Sequence, residues 1–306
     1  MSSDRSWSTS AVGDDLFALL AERLPSSELW TLLLEVMSRR AARRTPKDLR
    51  AQWGHDRFTQ PSTIDARRQL AIDAVLFEAA KGFEAIELSP LAPLGVCSQI
   101  APTSQQRVVS ALRGTEVVAD PTNVLALECA RRLKADPSQI VRLAASHRAV
   151  RAQPAPKGPG YAQHFRLFCL VTAGRERVNH GFIVEHVVEH IATHLAALDR
   201  LEGAGYGFAD RQLRVLATPQ RADAADRVGA AFAGMPVVRD TLEHAYYDGL
   251  RFNITARPPD GSEPHALMDG GVFNWLGRIT SNQRLAFVAS GIGSQMVATR
   301  YAAAST

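Results

Sequence analysis

The sequence predicts an α+β fold, an antiparallel β-sheet flanked by helices, on three observations. Short runs of strand composition outnumber the helical patterns that could serve as parallel crossovers. Several of these runs are joined by turns, as in LRFNITARPPDGSEPHALMDGG, where Pro258-Pro259-Asp260-Gly261 separates two β runs. The stretch Arg142 to Gly174 reads as a hairpin: Leu143 to Val150 and His164 to Thr172 have strand composition, and Pro154, Pro156, Gly158, Pro159 and Gly160 forbid regular structure between them. Arg148, Arg151, Lys157 and Arg166 then sit near the loop mouth, where guanidinium forks suit bidentate capture of phosphate or carboxylate.

Before the hairpin, the polar leader to about Gly13 has disordered composition, and two helical patterns follow. Leu16, Leu19, Leu20 and Leu24 fit one amphipathic face before Pro25; Leu29, Leu32, Leu33, Val36 and Met37 fit another after Ser26 and Ser27. The second pattern ends in Arg39, Arg40, Arg43 and Arg44. No aromatics interleave with them as stacking on nucleic acid requires, so they read as a solvated helix end. A turn-rich segment around Pro46, Gly54 and Pro61 separates this region from the helical run Ile64 to Ala80, in which Leu70, Ala74, Phe77 and Ala80 share a face. A strand Phe83 to Leu88, broken by Pro90 and Pro93, comes next, then the strand-like Gly114 to Asp120. Asp120 caps a helix that starts at Pro121 and runs to about Leu133.

After the hairpin, Gly181 to Leu201 forms a long helix with His186, His190 and His194 four residues apart and Glu185 and Glu189 between them. Two such histidines can bind zinc, but the order is not HExxH and no further ligand is evident, so they read as a polar, solvent-bordered face. Arg214 to Ala217, Phe252 to Ala256, His265 to Met268 and Phe287 to Ser290 supply further short strands. Gly291-x-Gly293 lacks the remainder of a dinucleotide fingerprint and reads as a close approach of backbone to a ligand or a strand.

Composition narrows the function classes. The 306 residues, 46% hydrophobic and 22% charged, suffice for a full core. A net charge of +4 permits an anionic ligand without demanding nucleic acid. The three cysteines, Cys97, Cys129 and Cys169, are widely spaced, against both a disulfide framework and a zinc site, and point to a reducing compartment. No apolar run approaches a membrane span, and the start lacks the basic-then-apolar order of a signal peptide; a cytoplasmic location is expected.

The ordered pieces resemble the class II aminoacyl-tRNA synthetase catalytic core, and within it the histidyl-tRNA synthetase-like branch, over roughly Ile64 to Ala298. The helix plus FEAIELSP resembles motif 1, which implies a homodimer. SHRAVRAQ, loop and YAQHFRLF resemble motif 2, with Arg148 and Arg151 at its catalytic arginine positions. EVVADPTN resembles the segment that receives the amino-acid ammonium group, which implies that role for Asp120 and Thr122. HAYYDGLRFN is similar to the paired-tyrosine strand of histidyl enzymes. DGGVFNWLGRI and FVASGIGSQM resemble the glycine-rich turn and motif 3. The resemblance therefore implies substrate contacts from Asp120, Thr122, Gln163, Arg166, Tyr246, Tyr247, Gly270 and Gly271. It implies ATP contacts from Arg148, Lys157, Gly291 and Gly293, with Mg²⁺ accompanying the nucleotide and no metal site formed by side chains. Residues 1–60 read as a helical extension and 61–306 as the core.

The departures from that pattern shape the functional expectation. Met296 holds the place of the motif 3 arginine, Val150 that of the motif 2 glutamate, and Leu167 and Val171 those that read an imidazole. Leu242 stands where an arginine precedes the paired tyrosines, with Arg239 nearby. An imidazole would find no polar partner there, and no anticodon-binding domain is expected in the few residues after the core, so tRNA charging is not expected. Two functions remain: activation of a small amino or carboxylic acid with ATP for a non-tRNA acceptor, such as a carrier protein, or a non-catalytic subunit that senses an amino acid and regulates an enzyme. The second resembles the regulatory subunit of short-form ATP phosphoribosyltransferase.

Overall fold

The computed structural model describes residues 13–154 and 161–302. Lys157 and the loop residues Pro156, Gly158, Pro159 and Gly160 lie outside the described residues, as does most of the leader.

An eight-stranded sheet dominates, in the order β1 (Glu84–Ala85), β5 (Val141–Val150), β6 (His164–Arg175), β11 (Leu285–Ile292), β10 (His265–Phe273), β9 (Leu250–Arg257), β7 (Ala209–Ala217) and β8 (Val237–Thr241). All neighbours are antiparallel except the two edge pairs, β1 with β5 and β7 with β8. The β5–β6 hairpin pairs without a break from Val150 opposite His164 to Val141 opposite Ala173. The strand Phe83 to Leu88 shrinks to two paired residues, because Pro90 and Pro93 turn the chain into a small second sheet, β2 (Leu91–Pro93), β4 (Thr115–Val117) and β3 (Ser110–Ala111).

Alternation along β5 and β6 divides the core. Ala144, Phe168 and Leu170 pack with α4 (Ala66–Ala79), α6 (Gly181–Gly203) and α9 (Ser294–Arg300) on one face. Leu143, Ala145, Cys169, Val171 and Ala173 pack with α5 (Pro121–Ala135) and α8 (Trp275–Thr280) on the other. The remaining helices are α1 (Asp14–Ala18), α2 (Ser26–Ala42), α3 (Pro46–Trp53) and α7 (Ala222–Ala230). Helices α1 to α3 bury no residue.

Four local expectations are corrected. The segment around Pro46 is a helix, because Thr45 and Asp48 form a reciprocal capping box and Pro46 takes the first helical position. Helix α4 buries Gln69, Ile72, Asp73 and Leu76, whereas Leu70 is 63% exposed and Ala74 is exposed. Polar partners rotate it: Gln69 Nε2 donates to Ser294 Oγ at 2.9 Å and to Asp73 Oδ1 at 3.0 Å, and Arg166 Nε donates to Asp73 Oδ2 at 2.9 Å. The α6 histidines are no solvent-bordered face, since all three are buried. His190 joins Thr172 Oγ1 through Nε2 (3.0 Å) and Ser290 Oγ through Nδ1 (2.8 Å), His194 Nε2 reaches the same Ser290 oxygen at 2.8 Å, and His186 Nδ1 meets Glu189 at 2.7 Å. Finally, Tyr246 and Tyr247 occupy the turn between β8 and β9 instead of a strand. Gly249 ends that turn at φ +77, a left-handed conformation that glycine adopts without strain.

Candidate binding cleft

The hairpin and the start of α5 are far apart in sequence, and backbone hydrogen bonds bring them together. The Val150 N–H donates to the Val118 carbonyl at 3.0 Å, and the Ala152 N–H to the Arg107 carbonyl at 2.8 Å. Asp120 caps α5: its Oδ1 accepts the Thr122 N–H at 3.0 Å and the Thr122 hydroxyl at 2.7 Å. That leaves Oδ2, which lies 3.8 Å from Arg151 Nη2. Arg151 is aimed by a bond from its Nε to the Ala119 carbonyl at 3.1 Å and by stacking 5.0 Å from the Phe165 ring centre. An acid and a base thus face each other with one of them held by a helix cap.

Around that pair opens a cavity of about 530 Å³. Asp120, Thr122, Asn123, Arg151, Tyr246 and Tyr247 line it, together with Cys169, Arg251, Asp269, Gly270 and Gly291. Asn123 is 1% exposed and its Oδ1 has no hydrogen-bond partner, so the wall holds a buried acceptor that requires a donor. Burial holds the hydroxyls of Tyr246 and Tyr247 far above the usual phenol range, with the Asp120 and Asp269 carboxylates respectively adding to the effect, so both are neutral donors. Burial likewise pushes the Cys97 thiol on the same wall up to about 11. The loop carrying Cys97 is tied down by buried Glu116, which accepts from the Gly95 and Cys97 N–H groups and from Gln105.

A second cavity of about 330 Å³ adjoins the first, sharing Arg151, Gln153, Leu167, Asp269 and Gly291 with it. Its far end holds Tyr161, Gln163, Arg166, Gly293, Gln295 and Met296. Gln163 also carries an unpartnered buried Oε1.

The structure therefore gathers most of the residues expected from sequence. Asp120, Thr122, Arg151, Tyr246, Tyr247, Gly270 and Gly291 share the first cavity; Gln163, Arg166, Gly291 and Gly293 share the second. Arg148 lines neither, a departure from the expected anion clamp. It projects to the opposite face of β5, where its Nη1 donates to Gln295 Oε1 at 3.3 Å and to His164 Nδ1 at 3.0 Å. His164 Nε2 in turn donates to the Gln60 carbonyl at 2.7 Å, which fixes the ring's tautomer. Burial, and then the charge of Arg166 directly opposite, hold the Arg148 guanidinium below the usual arginine range. Gly271 is not a lining residue: a side chain there would collide with the Leu250 carbonyl and the Tyr247 ring. The glycine seats Tyr247.

Sequence reasoning missed Asn123, Arg251, Asp269 and Glu116. All four fall within the quoted motifs: Glu116 and Asn123 open and close EVVADPTN, Arg251 lies in HAYYDGLRFN, and Asp269 opens DGGVFNWLGRI. The available signal was a charged or carboxamide side chain inside each of those segments.

Neither a protein-family model nor a curated protein matches the sequence. Solved structures do match. An ATP phosphoribosyltransferase regulatory subunit/histidyl-tRNA synthetase from Bacillus halodurans C superposes with a TM-score of 0.60 at 14% identity, over 79% of this chain and 81% of that one. Apo histidyl-tRNA synthetase from S. aureus gives 0.59 at 14% identity, over 78% and 68%. A histidine–tRNA ligase subunit from Alicyclobacillus acidocaldarius gives 0.54 at 15% identity, over 83% and 96%. With its largely antiparallel sheet, flanking helices and a cleft at the hairpin, the chain has the class II aminoacyl-tRNA synthetase-like fold.

Proposed function

We propose that this protein is a synthetase paralogue that binds a small amino acid in the cleft, as a non-aminoacylating binding or regulatory subunit. The observation that carries the reading is the loose facing pair of Asp120 and Arg151 at 3.8 Å beside the unpartnered Asn123 Oδ1. A zwitterion inserted there gives its ammonium group an acceptor in Asp120 Oδ2, and its carboxylate the Arg151 fork. Each charge of the ligand meets its opposite.

The nucleotide end supports this reading against activation. Among the described residues lining the second cavity, the cations are Arg151 and Arg166, and Arg166 is already bound to Asp73. Met296, whose thioether carries no charge, lies at the place that an arginine fills in the resembled motif. These residues offer an ATP triphosphate little compensating charge. The adjacency of the two cavities favours a second reading, activation of the bound acid with ATP for a non-tRNA acceptor. Calorimetry with an amino-acid panel, beside pyrophosphate exchange with ATP and Mg²⁺, separates them. Binding without exchange supports the sensor, exchange supports the ligase, and no binding of any amino acid refutes both.

The regulatory subunit named among the structural matches suggests an enzyme as partner. Association into a homodimer belongs to the same proposal. Leu70, on the helix that resembles motif 1, is 63% exposed and would lie at that interface.

A further inference from the structure

We propose that the cleft selects an amino acid whose side chain is neutral and carries a hydrogen-bond donor beside an acceptor, a carboxamide above all. The inference rests on the proposed amino-acid site and adds the class of side chain that the site takes.

Arg251 on β9 and Asp269 on β10 both line the first cavity and form a bidentate pair, Nε to Oδ1 at 2.9 Å and Nη2 to Oδ2 at 2.8 Å. Tyr247 completes the unit. Its ring centre lies 5.2 Å from the guanidinium, and burial together with the Asp269 charge keeps its hydroxyl protonated. The pair is not sealed off, since the two side chains keep 26% and 41% of their surface open. It differs from Asp120 and Arg151 in closure: the bidentate pair is made, whereas the other gapes at 3.8 Å. The open pair suits two separate ionic groups, and the closed pair presents a neutral polar wall.

What that wall offers follows from the donor and acceptor inventory. A carboxylate has about four lone-pair positions, and two N–H groups of Arg251 fill half of them. An acceptor position on Asp269 remains beside the unused Nη1 donors of Arg251. A carboxamide matches both: its carbonyl accepts from Arg251 and its NH₂ donates to Asp269. A carboxylate side chain would turn lone pairs toward Asp269, and a cationic one would face Arg251; each sets like charges together in a partly desolvated site. An apolar side chain would cover both groups without a bond to either. Leu167 and Cys169 supply the apolar wall along the stem.

The test is calorimetry on the full chain with glycine, leucine, lysine, and the two acid–amide pairs, glutamate with glutamine and aspartate with asparagine. Glycine has no side chain and reports the zwitterion site alone. The proposal expects glutamine or asparagine to bind at least tenfold tighter than its own acid and than leucine. Asp269→Asn, which keeps shape and removes the charge, should narrow the amide-to-acid ratio at least fivefold, and Arg251→Lys, which loses the fork, should narrow it as well. Binding of several amino acids with no amide preference, or a preference that persists in both variants, overturns this inference and leaves the amino-acid site standing. Failure of glycine and every other amino acid to bind removes both. The wild-type ranking decides the matter even if neither variant folds.

Discussion

Arg151→Met should weaken amino-acid binding strongly, and the structure sets the size of the effect. Methionine retains a flexible stem against Phe165 and removes the charge, the fork and the bond from Nε to the Ala119 carbonyl. The lost backbone bond costs about 1 kcal/mol of stability. The ligand carboxylate loses a charge-assisted bond worth about 1.5–3 kcal/mol, or roughly ten- to a hundredfold in affinity at 1.4 kcal/mol per decade. Asp120 keeps its two bonds from Thr122, so the helix cap survives the change. Calorimetry with whichever amino acid binds the wild type tightest measures the loss, and urea denaturation measures stability separately. Arg148→Met is the control: it lines neither cavity, so its affinity should stay within about threefold of wild type, a spread of under 1 kcal/mol. Equal losses in the two variants, or an unchanged affinity in Arg151→Met, would refute the placement of the site.

The α6 histidines predict a pH-dependent stability. Burial holds His190 well below its ordinary range and His194 down to about 3, so the unfolded chain binds protons that the folded one does not. Stability is then full above about pH 6.5 and falls as pH drops from there, by up to about 1.4 kcal/mol per unit per histidine. Urea titrations from pH 7.5 to 4.5 check this, and His194→Leu should flatten the slope. Glu116→Gln keeps one acceptor oxygen where the carboxylate receives three donors; it should lower stability by about 1–3 kcal/mol and loosen the Cys97 wall, seen as faster amide exchange at Gly95 and Cys97. Leu70→Asp should shift light scattering from the proposed homodimer to monomer without changing the circular dichroism spectrum.

How much of this was legible from sequence depends on what each feature needs. The hairpin, the Asp120 cap and the antiparallel sheet follow from local rules, namely strand composition, a capping residue before Pro121, and turn-joined β runs. The rotation of α4 does not, because it is set by Ser294 and Arg166, which lie far along the chain from Gln69 and Asp73. A hydrophobic pattern selects Leu70; a polar network selects its neighbours. For the same reason the α6 histidines read as a surface, since their partners Thr172 and Ser290 sit on strands that no helical period reveals. Charge placement fails similarly: Arg251 and Asp269 meet only because β9 and β10 pair.

The reassignment from Arg148 to Arg151 has a simpler origin. Residues an odd number apart in extended chain project to opposite faces, so a strand that runs to Val150 cannot aim both arginines into the first cavity. Arg148 falls on the face of Ala144 and Ser146, among α4, α6 and α9; Arg151, just past the strand, turns toward Asp120. The consequence is a division of labour between the faces. On one, Asp73 lies between Arg166 and Gln69, and Gln69 reaches Ser294, so these polar groups bind α4 and α9 to the sheet. On the other, the charges are left for a ligand. Substitutions should sort accordingly: Asp73→Ala strands Arg166 and lowers stability by about 3–5 kcal/mol, the cost of breaking a partly buried pair, whereas Asp120→Asn retains the cap and chiefly lowers affinity. An Asp120→Asn variant that melted like Asp73→Ala while binding normally would invert the two faces, and the cleft would have to be sought on the other side of the sheet.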